Sequence, residues 1–160
     1  MLAGYKTGKL SMNFFVEGQP RPGGSKKAFV IKGTNRAVIT DAGGKNTKEW
    51  RDTVASTARA AYHGAPLEGP LELIITFKMP RPKSHYRANG ELKPNAPRWH
   101  TIRPDATKLV RSTEDALTHI LWKDDAQIVI QNVSKAYADG PVGAYMSVRQ
   151  IIEPDETEEP

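Results

Sequence analysis

Apolar and polar positions change period several times along this chain, and each change marks an element. Met12 to Gly18 is a short apolar run that stops at glycine, the pattern of a first strand. The runs at 28–31 (AFVI) and 37–40 (AVIT) flank Lys32–Arg36, where Gly33 and Asn35 supply turn chemistry, so a hairpin is predicted. Trp50, Val54, Ala58 and Ala61 then recur at helical spacing behind Thr47, a candidate N-cap, and predict a helix from Lys48 to about Tyr62. Leu71–Met79 is rich in β-branched and apolar residues between Pro70 and Pro80, and reads as a strand. The proline-rich stretch from Pro80 to Pro104 fits no regular element. Leu109, Ser112/Thr113, Ala116 and Leu117/Ile120 share one face of a predicted helix from Ala106 to His119. Trp122–Asp125 breaks that helix, Gln127–Ala138 returns to a strand, and a turn at Asp139-Gly140-Pro141 leads into a last strand, Val142–Ile152.

This order predicts a single α/β (α+β) domain over residues 12–152, a mixed β-sheet flanked by two main helices. Residues 1–11 are expected to be a flexible N-terminus, 81–103 a basic arm and 153–160 an acidic tail. With 160 residues, 38% hydrophobic and 26% charged, one domain with its own core is the default. Cysteine is absent, which excludes disulfide frameworks, thiolate-ligated zinc, iron–sulfur clusters and thiol nucleophiles. No apolar run reaches the roughly 20 residues that span a bilayer, and the N-terminal segment has lysines without an apolar stretch, so a cytoplasmic protein with no membrane partner is expected.

The overall charge of +5 conceals a strong asymmetry. Residues 1–152 carry +10, and the last eight, EPDETEEP, carry −5. Residues 81–103 hold +5 in 23 positions, whereas 104–152 is net −1. Basic surface gathers a polyanion, and clustered carboxylates hold a divalent ion. Such a distribution suits a nucleic-acid enzyme, although lysines and arginines also simply solvate surfaces.

The acidic residues bracket the second predicted helix: Asp105 at its mouth, Asp124 and Asp125 beyond its end. A helix from 106 to 119 spans roughly 20 Å, so Asp105 and Asp125 meet only if the chain doubles back or a second subunit intervenes. Converging carboxylates on Mg²⁺ serve phosphodiester hydrolysis, because the ion lowers the pKa of its water and offsets phosphate charge. Alternatively Asp105 caps the helix and Asp124-Asp125 forms a polar turn.

The stretch RPDATKLVRSTEDALTHILWKDDAQIV resembles the signature region of the RusA family of Holliday junction resolvases, metal-dependent endodeoxyribonucleases of phages and prophages. The family pattern runs Lys-Pro-Asp-x-Asp-Asn-Leu-x-Lys, then Asp-Ala-Leu, then an aromatic-x-Asp-Asp-x-Gln-Val run. This chain has Arg103-Pro104-Asp105, Leu109, Arg111, Asp115-Ala116-Leu117, Trp122, Asp124-Asp125 and Gln127-Ile128. The turn after Gly18, the PLEGPLELIITF segment and the proline-rich arm are also similar to that family, so the likeness covers roughly residues 12–150. It implies a homodimer acting on branched DNA, especially four-way junctions, with one Mg²⁺ site per subunit (Mn²⁺ as a substitute) and paired nicks. Carried over, Asp105 and Asp125 are catalytic metal ligands with Asp124 beside them, and Arg111 is the basic catalytic residue. The departure is Thr107, where the family commonly has a second catalytic aspartate; Lys108 stands where it has asparagine.

The resemblance leaves two functions open: a Mg²⁺-dependent nuclease, or a protein on the same scaffold that binds branched DNA without cutting it. Lys26, Lys27, Arg81, Lys83, Arg87, Lys93, Arg98, Arg103 and Lys108 are the candidate phosphate contacts. Tyr86 and Trp99 either stack on an unpaired base at the branch or pin their loop to the core. Trp50 and Trp122 are expected in the core or at an interface. Motifs for nucleotide hydrolysis, dinucleotide binding, zincin or α/β-hydrolase chemistry are absent.

Overall fold

The computed structural model describes residues 5–24, 26–41 and 43–153, in which the changes of period become six strands and two helices. In chain order they are β1 (Lys6–Glu17), β2 (Lys26–Val30), β3 (Ala37–Asp41), α1 (Gly44–Ala61), β4 (Leu71–Met79), α2 (Ala106–Leu117), β5 (Ile128–Tyr137) and β6 (Gly143–Ile152). The main sheet has the strand order β1-β6-β4-β5, and among the described residues β2 pairs only with β3. β4 runs parallel to β5 and antiparallel to β6, so the sheet is mixed, as the sequence implied.

β4 alternates because one of its faces is covered by helices. Leu71, Leu73, Ile75, Phe77 and Met79 are buried with Val16, Ala144, Met146 and Val148 from neighbouring strands, and with Trp50, Val54, Leu109, Val110 and Leu117 from α1 and α2. Each large apolar side chain removed from water there contributes about 1.5–3 kcal/mol. Trp50 and Trp122 are both core residues: the Trp50 indole N–H donates to Thr113 Oγ1 at 3.1 Å, and that of Trp122 donates to Thr118 Oγ1 at 3.2 Å.

Several boundaries move. The first strand begins at Lys6, inside the segment expected to be loose, because Lys6 and Thr7 pair with Ile152 and Ile151 of β6. Helix α1 starts at Gly44 with Gly43 as its cap, and Thr47 does not cap it. Thr47 lies buried in the first turn, and its hydroxyl donates to Pro22 O at 2.8 Å, tying the helix to the preceding turn. Helix α2 ends at Leu117, two residues early, where Thr118 turns extended and closes on Trp122. Of the tail expected at 153–160, only Glu153 falls within the described residues. Among those residues no helix is long and apolar enough to cross a membrane.

Candidate active site

Helix α2 carries the candidate chemistry because its two flanks differ. Leu109, Val110, Ser112, Thr113 and Leu117 face the core. Thr107, Arg111 and Glu114, spaced by four and three residues, line an outer cleft of about 650 Å³. Asp115 of the same helix and Lys26, Arg51, Asp125 and Gln131 from other elements complete its lining.

The turn before β2 is stapled to α2. Gly23 N–H donates to Lys108 O at 2.9 Å, and Ser112 Oγ donates to Arg21 O at 2.5 Å. Gly24 has φ +90°, and a Cβ there would lie 2.4 Å from Arg111 Cδ, so only glycine lets the chain pass this close to the arginine. That contact brings Lys26 to the cleft beside Arg111.

The acidic side consists of Glu114, Asp115 and Asp125. Asp115 pairs with Arg51 at 3.2 Å. Glu114 is half-buried, and Gln131 Nε2 donates to its Oε1 at 2.5 Å. Burial holds the Glu114 carboxyl above the ordinary carboxylate range; the Gln131 bond opposes this, and the negative charges of Asp125 and Asp115 add to it. Asp125 is exposed in a short 3₁₀ turn. Asp124 caps that turn by accepting the Ala126 N–H at 2.8 Å, while Gln127 Oε1 accepts the Asp124 N–H at 3.1 Å. Gln127 also donates to Leu67 O and Gly69 O, which fastens the turn to the chain before β4. Asp124 therefore orients the loop that presents Asp125.

Asp105 lines the neighbouring hollow with Arg103, Lys108 and Arg21. It sits at the N-cap of α2, yet its side chain makes no capping bond and is exposed. The preceding segment is held by Lys135, whose ammonium donates to Ile102 O at 2.6 Å and Pro104 O at 2.7 Å. The chain does double back as the sequence allowed, with Trp99 bridging to Ala136 on β5. The return meets the far end of the strand, however. Lys135 and Ile128 are seven residues apart, about 23 Å at strand rise, and Asp125 precedes Ile128. Asp105 and Asp125 thus open on adjacent hollows along α2.

Thr107, Glu114 and Asp125 offer hard oxygen donors in one cleft, where like carboxylate charges meet. That chemistry fits Mg²⁺, which keeps several waters and takes only one or two carboxylates from protein. Among the described residues, no group of three or more acidic or histidine side chains is gathered tightly enough to cage an ion alone. Glu114 and Lys135 are the functional candidates that sequence reasoning passed over. The i, i+7 spacing from Thr107 to Glu114 was the available signal for the first; nothing local marks the second.

The basic candidates divide. Arg81 is a correction: its side chain is only 4% exposed, paired with Asp139 at 3.0 Å, donating to Pro97 O at 2.7 Å and stacked over Tyr137. It braces the arm and offers nothing to a phosphate. Lys26, Lys27, Lys83, Arg87, Lys93, Arg98, Arg103 and Lys108 are exposed, although Lys93 Nζ also donates to Ser84 O. Tyr86 is partly exposed; Trp99 is 51% exposed with Arg98 over its ring, and the loop is pinned by backbone bonds and the buried His100.

A family profile described as Endodeoxyribonuclease RusA matches residues 17–149. The chain is also 30% identical over 138 residues to the uncharacterized protein YqaN of Bacillus subtilis (strain 168), covering 81% of this chain and 90% of that protein.

Proposed function

This chain belongs to the endodeoxyribonuclease RusA family, and from that premise we propose a site in the α2 cleft for the family's Mg²⁺-dependent resolution of Holliday junctions. The observation that carries the proposal is the shared cleft, lined by Thr107, Arg111 and Glu114 of α2 together with Lys26 and Asp125 from other elements. The residues that would hold the ion are Asp125 and Glu114, with the Thr107 hydroxyl, while Asp105 faces the adjacent hollow at the first turn of α2. Asp124 acts as a positioning residue through its cap. When bound, the ion lowers the pKa of a water and offsets charge on the scissile phosphate.

The protein's own groups do the rest. Arg111 presents a forked donor set to two phosphate oxygens, and Lys26 supplies a second positive charge from a different element. The Arg51 pair with Asp115 confines the uncompensated negative charge to Glu114 and Asp125. Lys135 fixes residues 102–104 and thereby the direction in which Asp105 leaves the chain. Arg103 and Lys108 beside Asp105 continue the positive track along α2.

A homodimer is part of this reading, since a four-way junction offers two-fold symmetry for paired cuts. Its support is the sheet face opposite the helices, where Phe15 and Tyr145 stack at 4.5 Å beside Ile74 and Thr76 with no layer above them among the described residues. Tyr145→Glu should shift the mass in light scattering from two chains to one, and a dimer that survives it places the contact elsewhere.

Purified protein incubated with a labelled four-way junction and with linear duplex, each in Mg²⁺ and in EDTA, tests the activity. Symmetric, Mg²⁺-dependent nicks confined to the junction are expected. Tight junction binding without product in Mg²⁺ or Mn²⁺ would overturn the nuclease reading in favour of a binding protein on this scaffold, the alternative that Thr107 favours.

A further inference from the structure

The hairpin formed by β2 and β3 is unlike every other part of the sheet structure. All five residues of β2 are exposed, and the pair hydrogen-bonds to no third strand. Such a ribbon is marginal by itself, yet it carries large apolar groups into solvent: Phe29 is 52% exposed and Ile39 65%. The register pairs Ala28 with Ile39 and Phe29 with Val38, so Ile39 and Phe29 project from opposite faces. Its charges lie at the two ends, Lys26 and Lys27 with Asp41 (in register with Lys26) at the root, and Lys32 and Arg36 at the turn, so the hairpin is net positive. The turn is closed by the Ile31 N–H to Arg36 O bond at 3.2 Å and by Thr34 bonds to Ile31 O. The root is clamped to α2 through Gly23 and Gly24, beside the cleft.

Lys27 and Lys32 are five residues apart, about 17 Å at strand rise. A DNA major groove is about 12 Å wide and admits a two-stranded ribbon, with phosphates along both rims. We propose that β2–β3 lies in the major groove of the duplex arm leaving the cleft, its end charges on the phosphates of the two rims and Phe29 or Ile39 against the bases. This rests on the DNA-nuclease reading and adds to it a second contact surface. The ribbon positions an arm, and its apolar middle bears on base edges.

The test uses the full chain, wild type and two double variants, Lys32→Ala/Arg36→Ala and Phe29→Ser/Ile39→Ser, whose side chains are exposed and whose unfolding midpoints should match the wild type. Binding is read by anisotropy in EDTA against a four-way junction, linear duplex and a single-stranded oligonucleotide over a salt series. The cation variant should bind the junction and duplex on the order of tenfold more weakly, with the log–log salt slope shallower by about 1.8 for two lost phosphate contacts. Single-strand binding should change less than twofold. Guanine N7 in the arm next to the cut, which faces the major groove, should be protected from methylation by the wild type and exposed by either variant. Unprotected N7 under bound wild type, an equal loss on single strands, or an unchanged salt slope would each overturn the proposal. Failure of the wild type to bind any DNA would instead overturn the nuclease reading on which it rests.

Discussion

Two basic segments flank the cleft, and they are built in opposite ways. The arm 81–103 has the higher charge density, but its backbone is sewn to β5: His100 N–H donates to Lys135 O, Tyr137 N–H donates to Arg98 O, and Arg81 is sealed beneath. The ribbon β2–β3 has fewer charges, yet every residue of β2 is exposed. Charge counted along the chain ranks the arm first as a nucleic-acid contact. Charge counted by exposure moves Arg81 into the interior and raises Lys32 and Arg36, which linear reasoning passed over as turn residues. Arginine buries its planar group when a carbonyl, a carboxylate and an aromatic face are all in reach; Pro97 of the arm, Asp139 and Tyr137 at the end of β5 supply these to Arg81.

The contrast can be broken or sharpened by substitution. The largest effect should come from Asp125→Asn, which is expected to lower junction cleavage at least a hundredfold while leaving binding within a few-fold, so the contributions of arm and ribbon can be measured without cutting. Product formation at wild-type rate would remove Asp125 from the site. Arg81→Ala should cost about 2 kcal/mol, seen as a lower urea midpoint, because the arm loses a buried side chain that packs on Tyr137 and makes charge-assisted bonds to Asp139 and Pro97 O. A stability unchanged to within 0.5 kcal/mol, typical of a surface site, would mean that the arm is not braced there.

A smaller effect should appear with pH. Burial, followed by the nearby Lys135 charge, holds His100 below the ordinary histidine pKa of 6.5. The folded chain therefore resists a proton that the unfolded chain accepts, so the stabilisation is complete above the unfolded value and is lost as pH falls through 6.5 toward the folded one. The thermal midpoint should drop across that window, and His100→Gln should flatten the drop. An identical pH profile in the variant would show that another group is responsible. The smallest effect is expected from Lys32→Ala/Arg36→Ala on stability, under about 0.5 kcal/mol by urea melt, since nothing packs on those side chains.

Much of the site was legible from residue types alone. The proline-bounded apolar run of β4, the helical spacing of Trp50, Val54 and Ala58 and the change of sign after Pro104 all map onto the structure because each is a local signal of burial or charge. Thr47 misled for a physical reason. It has the chemistry of an N-cap, but the helix begins earlier, at Gly44, which leaves Thr47 inside the first turn with its hydroxyl donating to Pro22 O. Glu114 was set aside as a ligand because a lone glutamate in a helix looks like a solvated one until Gln131 and Asp125 are brought to it from another element.

The sequence by itself determined the order of elements, the mixed α/β class and the membership of the RusA family, because periodicity, breakers and the Asp105 and Asp124-Asp125 signatures are properties of neighbouring residues. Only the tertiary structure decided which charges share a cleft. Helix α2 passes antiparallel along β5, so Glu114, Arg111, Asp125 and Lys26 share one cleft while Asp105 opens on the next hollow. That arrangement depends on contacts between residues far apart in the chain, such as Lys135 on Pro104 O and Gly23 on Lys108 O, and no local pattern encodes such distances.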